Sequence, residues 1–277
     1  MTPAEYCQEK AAQSGSSFYY SFLFLPKQRR EAITALYAFC REVDDIADDC
    51  TDIAIARVKL EWWRQELAQT FADKPGHPVS QALLPAIRSY DLALEQFEEI
   101  IDGMEMDLQL VRYADFKTLH LYCYRVAAVV GQLAASIFGY TDRSTLKYAH
   151  DLGIAFQLTN IIRDVGEDAR RNRIYLPQDE LAQFGVTEDD IFSSQNSAAF
   201  RALLAHQTAR AQQYYQQAMQ ELPKVDRHKQ RPGLVMAAIY QTVLNEIARA
   251  NYPVLNQRVS LTPLRKLWLA WRTWVFN

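Results

Sequence analysis

The chain has 277 residues, 49% of them hydrophobic, with a net charge of −3, a length that suits one large domain or two small ones. This mildly acidic balance lacks the basic field that a phosphate backbone demands, which excludes nucleic acid as an expected partner. Four scattered cysteines without a C-x-x-C pair and five histidines without zinc spacing point to reduced thiols in a cytosolic protein rather than a disulfide or zinc scaffold.

In chain order, helical signals dominate and alternating β-branched runs are absent. The polar first thirteen residues lack the apolar core of a signal peptide and read as a short helix. An aromatic stretch follows, in which Phe18, Tyr19, Phe22 and Leu25 recur at helical spacing before Pro26 opens a long helix over 27–48. A Trp-rich helix covers 53–70, and a Lys-Pro-Gly-His-Pro turn at 74–78 leads to a helix over 81–89. Further helices are expected over 95–109, over 116–138 with Asp115 as N-cap, and over 144–165. Residues 170–190 read as irregular, with short helical pieces after Pro177 and Thr187; helices over 197–221, 233–252 and 263–276 complete the chain. No biased linker or repeat divides it, so the expectation is a single all-α bundle domain over 1–277. The longest apolar run, 126–140, is broken by Gln132 and Ser136 and falls short of the roughly 20 residues that span a bilayer.

Two acidic clusters stand out. Gln157, Asn160, Asp164 and Asp168 fall on one stripe of an otherwise apolar helix, at offsets of 3, 4 and 4. Tyr37, Arg41, Asp44 and Asp48, with Asp45 beside them, form a second such stripe 120 residues earlier. An isolated i,i+4 aspartate pair on an exposed helix is destabilised by about 0.2–0.5 kcal/mol, and by more when desolvated. One acidic run alone is most simply a solvated helix end. Two pairs of the same spacing on apolar helices imply facing walls that need divalent cations. Mg²⁺ takes one or two carboxylates and completes its octahedron with water and phosphate oxygens, so the pattern suggests a diphosphate held between the walls. Arg41, Arg163, Arg170, Arg171 and Arg173 crowd the same stretches, where they either grip phosphate or make surface ion pairs. Between the clusters, 122–131 is rich in small and branched apolar side chains, among them Val126, Ala127, Val130 and Gly131. It reads either as helix packing or as the wall of a tunnel for a lipid chain that keeps water from a carbocation. Phe18, Phe22, Tyr37, Tyr122, Tyr175 and Tyr240 offer π faces to such a cation.

These residues resemble the squalene/phytoene synthase family, the head-to-head trans-prenyl synthases. The resemblance covers nearly the whole chain: Ser17-Phe18, 37–48, 122–131, 157–168, 173–177, Tyr240, Asn251-Tyr252 and Arg258. It implies an isoprenoid-synthase helical bundle with a central active-site cavity. There Asp44, Asp45, Asp48, Asn160, Asp164 and Asp168 would hold Mg²⁺, with Mn²⁺ as the alternative, and no NADPH is expected. Asp44, Asp48, Asp164, Asp168, Tyr122 and Gln157 would form the catalytic set. Ser17, Phe18, Phe22, Tyr37, Arg41, Val126, Val130, Gly131, Arg163, Tyr175, Tyr240 and Arg258 would bind substrate. The implied reaction ionises one allylic diphosphate, whose cation is attacked by the C2–C3 double bond of a second. Proton loss then closes a cyclopropane. Phytoene and dehydrosqualene synthases usually read His-Ser-Lys-Ser-Phe where this chain has Ser14-Gly-Ser-Ser-Phe18, a string similar to the bacterial presqualene diphosphate synthases of the squalene and hopanoid route. The expectation is therefore condensation of two farnesyl diphosphates to presqualene diphosphate. The alternative is a phytoene or dehydrosqualene synthase that carries the reaction through to the hydrocarbon. A non-catalytic scaffold of the same fold should have lost aspartates, and both pairs are intact here.

The terminal stretch 264–276 sets three tryptophans among basic residues, the composition of an interfacial helix. It is expected either to bring a cytoplasmic enzyme to the inner face of a membrane or to close the bundle. Downstream pathway enzymes are the other expected partners.

Overall fold

The computed structural model describes residues 1–13, 21–22, 24–50 and 52–276. Helices carry the regular structure of these residues, with one isolated parallel bridge between Arg112 and Ile174. In the N-terminal half, α1 (Pro3–Gln13), α2 (Lys27–Asp49) and α4 (Pro78–Tyr90) pack on one another, and α3 (Ile53–Phe71) packs on α5 (Leu94–Gln109). A central rod follows, built from α6 (Phe116–Cys123), a π-helical turn (Tyr124–Ala128) and α7 (Val129–Phe138). The C-terminal half holds α8 (Ser144–Arg170), the short α9 (Gln178–Phe184) and α10 (Glu188–Phe192), and the long α11 (Ala198–Glu221) and α12 (Arg231–Arg249). A 3₁₀ turn (Pro253–Leu255) leads to the terminal α13 (Pro263–Phe276), which packs on α12.

Local chemistry sets the ends. Asp115 caps α6 as expected, accepting from Thr118 N at 2.8 Å, and Asp52 caps α3 from Ala54 N at 2.8 Å. α4 starts three residues before its apolar periodicity, because Pro78 sits in its first turn and His77 Nδ1 accepts from Val79 N at 3.2 Å. α8 runs to Arg170 rather than stopping at 165, so the whole second acidic stripe is helical; Asn172 ends the run at φ 59°. α12 stops earlier than expected, because Asn251 and Tyr252 both take left-handed backbone.

Two apolar clusters form the core. One gathers Leu36, Phe39, Leu60, Phe97 and Leu133; the other gathers Ile154, Leu158, Phe200, Tyr215 and Leu244. Tyr124 and Val126, on the π turn, pack against both. The rod meets α8 backbone to backbone. A Cβ on Gly153 would lie 2.5 Å from Ala127 O, and one on Gly131 would lie 2.6 Å from Ala149 O. Phe116–Phe138 is long and apolar enough, by length and composition alone, to cross a membrane. In this fold its residues Val129, Leu133 and Ile137 are buried in the first cluster, the placement of a core helix.

Candidate active site

The two acidic stripes line one cavity of about 1150 Å³ between the clusters. Asp44 and Asp48 come from the C-terminal end of α2, and Gln157, Asn160, Asp164 and Asp168 from α8. Arg41, Arg163, Arg171, Arg173 and Arg258 line the same end. The far end is apolar, with Phe22, Val126, Val130, Gly131, Leu152 and Phe138 in its wall. Tyr37, Tyr122, Tyr175 and Tyr240 line it as well.

Arg171 and Arg173, which follow α8, bridge to the α2 wall, and the other arginines pair within one wall. Arg173 Nη1 donates to Asp48 Oδ1 at 2.6 Å, and Arg171 Nη1 lies 2.9 Å from Asp48 Oδ2. Asp164 accepts from Arg163 Nε at 2.8 Å and from Arg258 Nε at 3.0 Å. Arg41 pairs with both Asp44 and Asp45. Each guanidinium presents a fork matched to carboxylate and phosphate alike.

The carboxylates bear the strain of this crowding. Loss of solvent in the cavity wall, together with Asp48, Asp45 and Asp107, pushes the Asp44 carboxyl up to about 7 against the pull of Arg41. Loss of solvent, then Asp164 and Asp107, pushes Asp168 up to about 8, with Arg173 opposing. Asp168 also feels Asp48 across the cavity, so the two walls share one electrostatic site.

Asp107, on α5, is the site residue that sequence reasoning missed. It is buried, accepts from the Tyr175 hydroxyl, and lies 3.0 Å from Arg173 Nη1. In sequence it is one of several acids on α5, after Asp102 and Glu105, and nothing in that pattern singles it out. The Tyr122 and Tyr175 rings stack 5.3 Å apart beside it.

Of the expected residues, Ser17 and Phe18 lie outside the described residues. Asp45 is a correction. It does not line the cavity and instead meets Lys10 Nζ at 2.9 Å, because one residue beyond Asp44 turns the side chain about 100° around the helix. The remaining expected residues all line the cavity.

Among the described residues, no three carboxylate, imidazole or thiolate side chains gather tightly enough to cage a metal by themselves. The donors nevertheless fit Mg²⁺ in its shared mode, with one or two carboxylates from each wall and phosphate oxygens between. Asn160 supports the fit: it lines the cavity, and its buried Oδ1 has no hydrogen-bond partner while its Nδ2 donates to Gln157 Oε1 at 3.3 Å. A neutral oxygen left unpaired beside a carboxylate stripe suits a hard cation.

An acid-and-arginine mouth on an apolar tunnel, set in a helical bundle, defines a site for an anionic head on a lipid tail. The squalene/phytoene synthase profile matches residues 11–265, and the chain belongs to that family. It is 36% identical over 275 residues to the 15-cis-phytoene synthase of Synechococcus elongatus, covering 95% of this chain and 89% of that one. A dehydrosqualene synthase solved with a ligand superposes with a TM-score of 0.90 at 27% identity, covering 99% of this chain and 96% of its own. The squalene synthase HpnC of Alicyclobacillus acidocaldarius superposes at 0.81 with 28% identity, covering 90% and 94%. The isoprenoid-synthase helical fold follows from these likenesses.

Proposed function

We propose that the chain joins two identical allylic prenyl diphosphates head to head and carries the reaction through to the hydrocarbon, as a phytoene-type synthase. One observation carries the reaction class: two Asp-x-x-x-Asp pairs, on α2 and α8, face a single cavity whose far end is apolar. Similarity to a 15-cis-phytoene synthase over nearly the whole chain favours this product over presqualene diphosphate.

Mg²⁺ bound between Asp44, Asp48, Asn160, Asp164 and Asp168 would supply Lewis-acid stabilisation of the departing diphosphate. The chain's own residues do the rest. Arg41, Arg163, Arg171, Arg173 and Arg258 exchange carboxylate partners for phosphate oxygens as substrate enters, which places the head group at the acidic end. Val126, Val130 and Gly131 leave room for the tail and exclude water from the allylic carbons. Tyr122, Tyr240 and Phe156, whose ring lies 4.8 Å from that of Tyr240, face the cavity and stabilise positive charge through their π faces.

A second reading rests on Ser14-Gly-Ser-Ser-Phe18, which departs from the His-Ser-Lys-Ser-Phe pattern, and on the likeness to HpnC. In it, the reaction stops at presqualene diphosphate made from farnesyl diphosphate. Labelled farnesyl or geranylgeranyl diphosphate, incubated with Mg²⁺ and the purified chain with and without NADPH, separates the two. A phosphate-free hydrocarbon formed without NADPH supports the phytoene-type reading. A phosphatase-sensitive cyclopropyl diphosphate as the main product overturns it in favour of the second.

A further inference from the structure

α13 presents two different faces. Leu269 and Ala270 are buried against the bundle. Leu264, Leu267, Trp268, Trp271 and Val275 point outward, with Leu264 80% exposed and Trp268 and Trp271 each 52% exposed. Their offsets of 0, 3, 4, 7 and 11 place all five within an arc of about 100°. A helix that only closes a bundle turns its apolar stripe inward; this one carries a second, continuous stripe into solvent. Phe276, 75% exposed, stands at its end, and half-exposed Phe24 widens it by resting on Trp274 with ring centroids 5.2 Å apart.

Charge selects the occupant. Pro263–Phe276 contains Arg265, Lys266 and Arg272 and no acidic residue, within a chain of net charge −3. Arg265 and Arg272 project together from one flank of the stripe, at about 90–110° from its centre. Arg265 is tied to Glu246 at 2.8 Å, and Arg272 stacks over the Trp268 ring at 5.3 Å. Tryptophan beside arginine at the edge of an apolar stripe is the chemistry of the water–lipid boundary. A two-fold dimer pairing this helix antiparallel through the stripe would set the same basic flanks near each other, which opposes that second-copy arrangement as the occupant.

We infer that the exposed stripe of α13 docks on an anionic lipid bilayer, with Leu264, Leu267, Trp268, Trp271 and Val275 in the interface and Arg272 against the head groups. Docking there also places the cavity beside lipid: Leu261, just before the helix, and Lys266, on its inner side, line the cavity wall. Transfer of an apolar product along that wall rests on the proposed reaction; the docking itself does not.

The test uses the full chain and no substrate. Co-sedimentation with phosphatidylglycerol/phosphatidylcholine vesicles should exceed that with phosphatidylcholine alone, and Trp268→Ser/Trp271→Ser should lower the partition coefficient by about tenfold or more. Vesicles of bromine-labelled lipid should quench the tryptophan emission of the unaltered chain, a reading that needs no variant. Absence of both binding and quenching overturns the inference. So does a dimer in sedimentation velocity that the double variant converts to monomer without any vesicle binding, since the face then belongs to a second copy.

Discussion

Arg173 and Asp48 stand 125 residues apart in sequence and 2.6 Å apart in space. The same Nη1 lies 3.0 Å from Asp107, so one guanidinium ties the acidic end of α2, the buried acid of α5 and the segment after α8 into one wall. Removing it leaves Asp107 buried without its counter-ion, with its carboxyl pushed further up by the loss of solvent.

Arg173→Ala should therefore destabilise the fold by about 3 kcal/mol, the lower end for breaking a buried ion pair, read from the denaturant midpoint. Adding Asp107→Asn should restore part of that loss, because a neutral amide needs no counter-ion. Equal loss in the single and double variants would show that Asp107 is not the group left stranded.

Asp48→Asn and Asp164→Asn act on opposite walls but should give the same phenotype. Diphosphate release should fall on the order of 10²–10³-fold in each, the scale for removing one preorganised group from a site of developing charge. Far-ultraviolet circular dichroism should stay unchanged. Loss in only one of the two would detach the other wall from the reaction.

Gly153→Ala sets two magnitudes against each other. Alanine gains about 1 kcal/mol of helix propensity over glycine, yet its Cβ would sit 2.5 Å from Ala127 O and 2.6 Å from Ala128 Cα. Backbone cannot step aside as a side chain can, so overpacking of about 1–3 kcal/mol prevails. The thermal midpoint should drop and KM should rise, as the π turn at Tyr124–Ala128 is pushed off α8 and the cavity wall moves. An unchanged midpoint would mean the helices are not in backbone contact there.

Asp226 supplies a pH signature away from the cavity. Burial raises its carboxyl, but the amides of Asp142 and Thr141 and the Thr145 hydroxyl outweigh that and hold it below the usual range. A depressed folded-state value means its stabilisation is present above the unfolded value of about 3.9 and is lost as pH falls through the folded one. Asp226→Asn should lower stability at neutral pH by about 1.5–3 kcal/mol and flatten the decline measured below about pH 4. An equally steep decline in both proteins would contradict this assignment.

What the sequence made legible follows from periodicity. Asp44–Asp48 and Asp164–Asp168 could be read because a helix places i and i+4 on one face, and both pairs reach the cavity. Asp45 entered the expected metal set through the family resemblance, although the helical register already turns it about 100° from Asp44 and off the stripe. The π turn at Tyr124–Ala128 was invisible because an i→i+5 register has no residue signature of its own. Asp107 became visible only once the fold brought Arg173 and Tyr175 to it from more than sixty residues away. The exposed stripe of α13 was half legible: composition marked the helix, but only packing showed which of its two faces stays bare.

We propose that both acidic walls serve one metal-dependent head-to-head condensation. The decisive assay incubates the chain with a labelled allylic diphosphate and Mg²⁺, with and without excess EDTA. A product of twice the donor's chain length should form with Mg²⁺ and none with EDTA. The same product yield in EDTA, or release of diphosphate with no joined product, would contradict it.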